Sequence, residues 1–207
     1  MYIPREFAVR ERERIVGFMQ KYPFAQLLTP VDGGDIEMTL VPVVTVPGEQ
    51  IEAYFHLSVF NEHWKKAQGR RSYLVFFGPH HYISARWYGD RRSVPTWNYA
   101  VVKAAGSAQV TDEEKKAWIL RRLSEVFDAE WASWHMERED YYRTMMREIV
   151  GMRFLVESLE AKFKMSQNRP LPDRLSAIEH LRGACRTAGK LLSSWRASWE
   201  MWSRALP

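Results

Sequence analysis

Two histidines, His56 and His63, lie seven residues apart in the run Phe55-His56-Leu57-Ser58-Val59-Phe60-Asn61-Glu62-His63-Trp64-Lys65, which reads as a strand entering a short helix. Asn61 is the natural N-cap. This predicts His63 in the first helical turn, where the positive end of the helix dipole disfavours protonation. A neutral imidazole binds metals, so His63 is the first candidate ligand and His56 the second. The plainer alternative is a hydrogen-bonded strand histidine at 56 and a surface histidine at 63.

A second chemically dense stretch is Gly78-Pro79-His80-His81-Tyr82-Ile83-Ser84, followed by Trp87-Tyr88 and by Val94-Pro95-Thr96-Trp97-Asn98-Tyr99. Aromatic side chains interleaved with a few polar ones build either an apolar core or a cofactor pocket with polar anchors. Buried between Trp97 and Tyr99, Asn98 would need hydrogen-bond partners. The third stretch, Lys162-Phe163-Lys164-Met165-Ser166-Gln167-Asn168, combines cations, a hydroxyl and amides ahead of Pro170, as a loop beside an anion would. Adjacent in a strand, His80 and His81 would point to opposite faces and could not share one metal. His135 and Glu139 have helical spacing but make only a two-residue pair.

These residues need a scaffold. Val9, Ile15, Val16 and Met19 among charged neighbours predict a surface helix over 9–21. Phe24 to Thr29, Ile36 to Val44 and Ile51 to Ser58, separated by Asp32-Gly33-Gly34-Asp35 and Pro47-Gly48, predict a β-meander. Ser72 to Phe77, Tyr82 to Tyr88 and Thr96 to Val110 add strands, with Pro42 and Pro95 restricted to edges, starts or bulges. Thr111-Asp112-Glu113-Glu114 has the pattern of a capping box, predicting a helix over 112–127. A second helix is expected over 137–148, then strands over 149–157 and 159–164. A helical tail runs from Asp173 and carries an apolar stripe at Leu191, Trp195, Trp199 and Trp202. Without an alternating βαβ rhythm, the whole predicts an antiparallel α+β barrel.

The chain has 207 residues, of which 46% are hydrophobic and 27% charged, the mixture of one globular domain rather than a disordered chain. The charged opening lacks the apolar core of a signal peptide, and no run approaches a membrane span, so a cytoplasmic protein without membrane contact is expected. Cys185 is the only cysteine, which excludes an internal disulfide and a thiolate zinc cluster. The net charge of +5 comes from scattered doublets such as Arg70-Arg71 and Arg91-Arg92, not from a stripe of the kind that binds nucleic acid. G-x-G-x-x-G, Walker, H-E-x-x-H and G-x-S-x-G motifs are all missing.

From Met1-Tyr2-Ile3-Pro4 to about Leu181, these stretches in this order resemble the PaiB family, known as FMN-binding negative transcriptional regulators. The resemblance implies an α+β antiparallel split β-barrel of the FMN-binding, pyridoxamine-phosphate-oxidase-like kind, with peripheral helices. It implies a domain over 1–182, with 183–207 as a helical, Trp-rich extension. A homodimer with its cofactor at the subunit interface is also implied. The family includes haem-dependent piperazate synthases, which join two nitrogens of an N-hydroxylated diamino acid. Carried onto this chain, the cofactor-binding residues are His56, Asn61, His63, Trp64, Lys65, Trp97, Asn98, Ser166 and Gln167. Tyr82, Ser84 and Lys164 are the catalytic candidates, Lys164 offsetting ligand charge.

Where the family tends to read His-Leu-Ala-Arg-Ala-Asn-Pro-His-Trp, this chain keeps both histidines and puts Val59 in place of the arginine. In split-barrel flavoproteins a basic residue there grips the FMN phosphate, and valine offers no charge-assisted hydrogen bond. This favours haem b, held by an iron–histidine bond and apolar walls, with FMN as the alternative. The expected function is a haem-binding enzyme acting on a small nitrogen-containing metabolite, with N–N bond formation as in piperazate synthase. The alternative is an FMN-binding protein serving as reductase, electron carrier or regulator.

Overall fold

The computed structural model describes residues 1–131 and 144–187. The chain divides into two compact units. The larger holds Arg10–Phe77 and Val102–Glu160; the smaller holds Met1–Val9, Gly78–Val101 and the segment from Ala161 on.

In the larger unit, α1 spans Arg12–Lys21 and buries Ile15, Val16, Phe18 and Met19, the apolar stripe legible in the sequence. Strands β2 (Phe24–Pro30), β3 (Ile36–Pro42), β4 (Val44–Val46) and β5 (Glu52–Ser58) follow. The long strands β6 (Arg71–Ile83), β7 (Thr96–Val110) and β8 (Ile149–Lys164) complete the sheet. Its order is β3-β2-β6-β7-β8-β5-β4. The two ends of that order, β3 and β4, are consecutive in the chain and joined through Val43. The expected continuous strand 36–44 therefore breaks here: Pro42 has no amide proton to continue the ladder, and β4 pairs with β5 instead.

The buried face of this sheet carries Ala25, Leu27, Leu74, Phe76, Phe55 and Phe154. β7 and β8 run close together at Gly106, where any Cβ would overlap the Leu155 carbonyl. Two expected strands on either side of Ser158 are one strand, β8.

Helix α3 spans Glu113–Phe127 and seals Val44 and Tyr54 with Ile119 and Leu123. Its cap is Asp112, whose side chain accepts from Lys115 N at 2.7 Å, rather than Thr111 as expected. The short helix α2 (His63–Ala67) follows β5. Most of the helix expected over 137–148 lies outside the described residues.

In the smaller unit, β1 (Ala8–Val9) pairs with β8 at Lys162 and Ala161. β6 continues through Gly78-Pro79 to Ile83, where two separate strands were expected, and a 3-10 turn at Ala85–Trp87 follows. Helix α4 (Leu171–Thr187) packs Ala177 and Leu181 on Ile83, Tyr88 and Trp87. The stripe at Trp195, Trp199 and Trp202 lies outside the described residues.

Candidate functional site

His56, Asn61, His63, Trp64 and Lys65 lie in the larger unit; Tyr82, Ser84, Trp97, Asn98, Lys164, Ser166 and Gln167 lie in the smaller.

The two histidines of the larger unit have opposite circumstances. His63 is fully buried. Its Nδ1 is 2.9 Å from Thr39 Oγ1 and its Nε2 is 2.9 Å from Thr29 Oγ1, so both ring nitrogens already serve the fold. Helix α2 begins at His63 rather than at 62. Asn61 still performs the capping chemistry expected of it, because its Oδ1 accepts from His63 N at 3.1 Å.

His56 stands on β5 opposite Gly151 of β8. Its Nδ1 is buried with no hydrogen-bond partner among the described residues, and burial holds its pKa below the ordinary imidazole value. The ring is therefore neutral, with its Nδ1 uncommitted. Thr111 Oγ1 occupies the space over Gly151, 2.5 Å from where a Cβ would sit, and it too is buried without a partner. Two orphaned polar atoms thus border one glycine that has no side chain to separate them. Orphans of this kind need an explanation in a folded protein.

Between these histidines the chain turns through Val59, whose N–H donates to Glu148 O and whose carbonyl accepts from Trp64 Nε1. Phe60 projects into solvent. The neighbouring cations are paired: Lys65 with Glu62 at 3.0 Å and Lys66 with Glu37. Such exposed pairs contribute little and exchange readily for a stronger anion.

In the smaller unit, Ser166 is the hub. It holds a left-handed backbone, φ 63°, and its Oγ accepts from Asn98 Nδ2 at 2.9 Å and meets the Tyr88 hydroxyl at 3.2 Å. Asn98 is buried, and its Oδ1 has no hydrogen-bond partner among the described residues. Gln167 closes the turn after β8, accepting from Met165 N and donating to Phe163 O. Lys164 donates to Thr96 Oγ1. Ser84 caps the 3-10 turn by accepting from Arg86 N. His80, Tyr82 and Trp97 form an exposed aromatic group on one face, with His80 and Tyr82 each about 6 Å from the Trp97 ring. His81 lies on the other face, beside Trp87.

Thr29, Thr39 and Ser72 had drawn no attention in the sequence as polar side chains, and Thr111 had drawn it only as a helix cap. The available signal was a polar residue at an inward position of an alternating strand, as at Thr29 after Ala25 and Leu27. Among the described residues, no group of three or more His, Cys, Asp or Glu could hold a bare metal ion.

Residues 1–158 match the family model described as "Putative FMN-binding domain". The protease synthase and sporulation protein PAI 2 of Bacillus subtilis is 31% identical over 186 residues, covering 88% of this chain and 89% of that protein. Among solved structures, the FAD and heme binding protein from Mycobacterium smegmatis superposes with a TM-score of 0.62 at 14% identity, covering 82% of this chain and 79% of that one. The flavocytochrome from Azotobacter vinelandii gives 0.58 at 15% identity, covering 78% and 72%. The structural likenesses establish the fold, the antiparallel α+β split-barrel class. Together with the matched model and the Bacillus relative, they make this chain a member of the FMN-binding domain family.

Proposed function

We propose that this chain is a haem-binding protein in which His56 supplies the iron's protein ligand, and that it acts on a small nitrogen-containing metabolite such as an N-hydroxylated amino acid. The observation that carries the cofactor is the neutral ring of His56, whose Nδ1 is buried with no partner among the described residues, set against a His63 whose two nitrogens are both engaged. A macrocycle that brings four nitrogens of its own needs only one histidine. Bound haem would supply a redox-active or Lewis-acidic iron. The residues of this chain would hold the imidazole neutral by burial and flank the reacting molecule with the Thr111 hydroxyl. The FAD and heme binding protein from Mycobacterium and the flavocytochrome from Azotobacter support haem as a cofactor this fold accommodates. The choice of substrate draws on the sequence resemblance.

FMN is the second reading, favoured by the description of the matched family and by two exposed lysines, Lys65 and Lys66, in the helix that follows the Val59 turn. An absorption spectrum of protein produced with ample haem tests the first reading against the second. A single intense band near the violet edge is expected. A yellow protein that releases FMN on denaturation overturns it.

The active form is proposed to be a homodimer. In the larger unit the outward face of β2, β3 and β6 exposes Phe24, Ile36, Met38, Leu40 and Phe77, an apolar patch of the kind that marks interfaces. Light scattering is expected to give about twice the chain mass of 24.4 kDa. Met38→Asp is expected to shift the protein to monomer.

A further inference from the structure

The engaged nitrogens of His63 belong to a longer chain of hydrogen bonds in the larger unit. Asn61 Nδ2 donates to Thr39 Oγ1 at 3.1 Å. Thr39 Oγ1 lies 2.9 Å from His63 Nδ1, and His63 Nε2 lies 2.9 Å from Thr29 Oγ1. Thr29 Oγ1 lies 2.8 Å from Ser72 Oγ, and Ser72 donates to the Arg70 carbonyl at 3.3 Å. His63, Thr29 and Ser72 are fully buried.

Both ends fix the direction. A carbonyl oxygen only accepts, so the Ser72 proton goes to Arg70 and Ser72 Oγ accepts from the Thr29 hydroxyl. Thr29 Oγ1 must then accept, and it does so from an Nε2–H. At the other end, Asn61 Oδ1 takes the backbone N–H of His63, which fixes the amide and leaves Nδ2 as the donor to Thr39. The Thr39 hydroxyl proton then goes to Nδ1. Every donor and acceptor in the series is used once, and only a neutral imidazole carrying its proton on Nε2 satisfies them all. The chain crosses four segments in turn: the loop before α2, β3, α2 itself and β2, ending on β6.

We infer that His63 is a positioning residue, locked as the Nε2–H tautomer, that bolts helix α2 and the turn 58–62 onto β2, β3 and β6 and is not a cofactor ligand. The part about the cofactor rests on the proposed haem reading; the tautomer and the bolt do not. Burial also depresses the His63 pKa, with Lys66 adding to the effect and Glu37 opposing it. Those two charged side chains face the ring from α2 and β3 and are paired with each other.

Glutamine offers one acceptor and one donor at nearly the imidazole separation, so His63→Gln can keep the chain intact while His63→Ala cannot. The first experiment is a long-range proton–nitrogen NMR spectrum of the cofactor-free, histidine-labelled protein, assigned by the signal that His63→Gln removes. His63 is expected to show a protonated Nε2 and a bare Nδ1. A protonated Nδ1 overturns the inference, whatever the protein binds. The second is a haem titration of both variants. His63→Gln is expected to match the wild type in affinity and band position, while His63→Ala binds about tenfold more weakly with an unchanged band. A band moved or lost in His63→Gln means that His63 ligates iron and overturns the inference. If His63→Ala does not fold, His63→Gln and the NMR spectrum decide. If no variant binds haem, the haem reading fails while the tautomer result still tests the bolt.

Discussion

Gly106 on β7 and Leu155 on β8 approach so closely that a Cβ at position 106 would overlap the Leu155 carbonyl oxygen and press on the Phe154 ring. Backbone cannot swing aside as a flexible side chain can. Gly106→Ala is therefore expected to destabilise the protein by about 3 kcal/mol, at the upper end of overpacking costs. Gly17, exposed in α1 with nothing near its missing Cβ, is the control. Gly17→Ala should stabilise by about 0.5–1 kcal/mol. Urea unfolding of the two variants checks the pair, and equal signs would refute the close-approach explanation.

Ser166 combines a strained backbone with two hydrogen bonds, and substitution separates them. Ser166→Ala loses the bonds to Asn98 and Tyr88 and keeps φ at 63°. Ser166→Gly loses the same bonds but relieves the strain, which costs an L-residue about 1–2 kcal/mol. Both variants should be less stable than wild type, with Gly the more stable of the two by about 1 kcal/mol. Thermal unfolding at one pH measures the order.

Stability should depend on pH through His63. The depressed folded pKa means that the unfolded chain takes up the proton first, starting near the ordinary imidazole value of 6.5. The stabilisation is present above that value and is lost as pH falls toward the folded pKa, at a slope approaching about 1.4 kcal/mol per pH unit. Unfolding free energies at pH 7.5, 6.5 and 5.5 are expected to fall more steeply for wild type than for His63→Gln, which cannot titrate there. Parallel curves would show that another group governs the acid limb.

Val59 sits where the family tends to carry a phosphate-gripping arginine, and it has no charge to offer. Val59→Arg should add one or two charge-assisted hydrogen bonds to an FMN phosphate, at roughly 1.5–3 kcal/mol each. FMN affinity should rise by about tenfold or more, with riboflavin unchanged as the phosphate-free control. Calorimetric titration distinguishes the outcomes. Nanomolar FMN binding by the wild type would mean that Lys65 or Lys66 leaves its carboxylate for the phosphate.

Local chemistry was readable in the sequence where a single residue decides the backbone. β7 starts at Thr96, just after Pro95, and α3 begins within one residue of the expected position although its cap is Asp112 and not the expected Thr111, because proline geometry and a capping side chain act on their immediate neighbours. The stretch around Gly78-Pro79 falls between two expected strands, yet β6 runs through it. His63 could not be read at all from its own neighbourhood. Its role depends on Thr39 and Thr29, which lie 24 and 34 residues away in sequence. Nothing near a histidine announces whether its nitrogens will meet a metal or two threonines.

The one-way sense of the chain from Asn61 to Arg70 has a consequence for how this sequence can change. Replacing Thr39 by valine strands the Asn61 amide and the His63 Nδ1 together, and replacing Ser72 by alanine leaves the Thr29 proton without a receiver. Apart from His63→Gln, which keeps one acceptor and one donor, no single step along the series is free. Among relatives, Thr29, Thr39, Asn61, His63 and Ser72 should therefore be inherited as one block, kept whole or exchanged together for an apolar set.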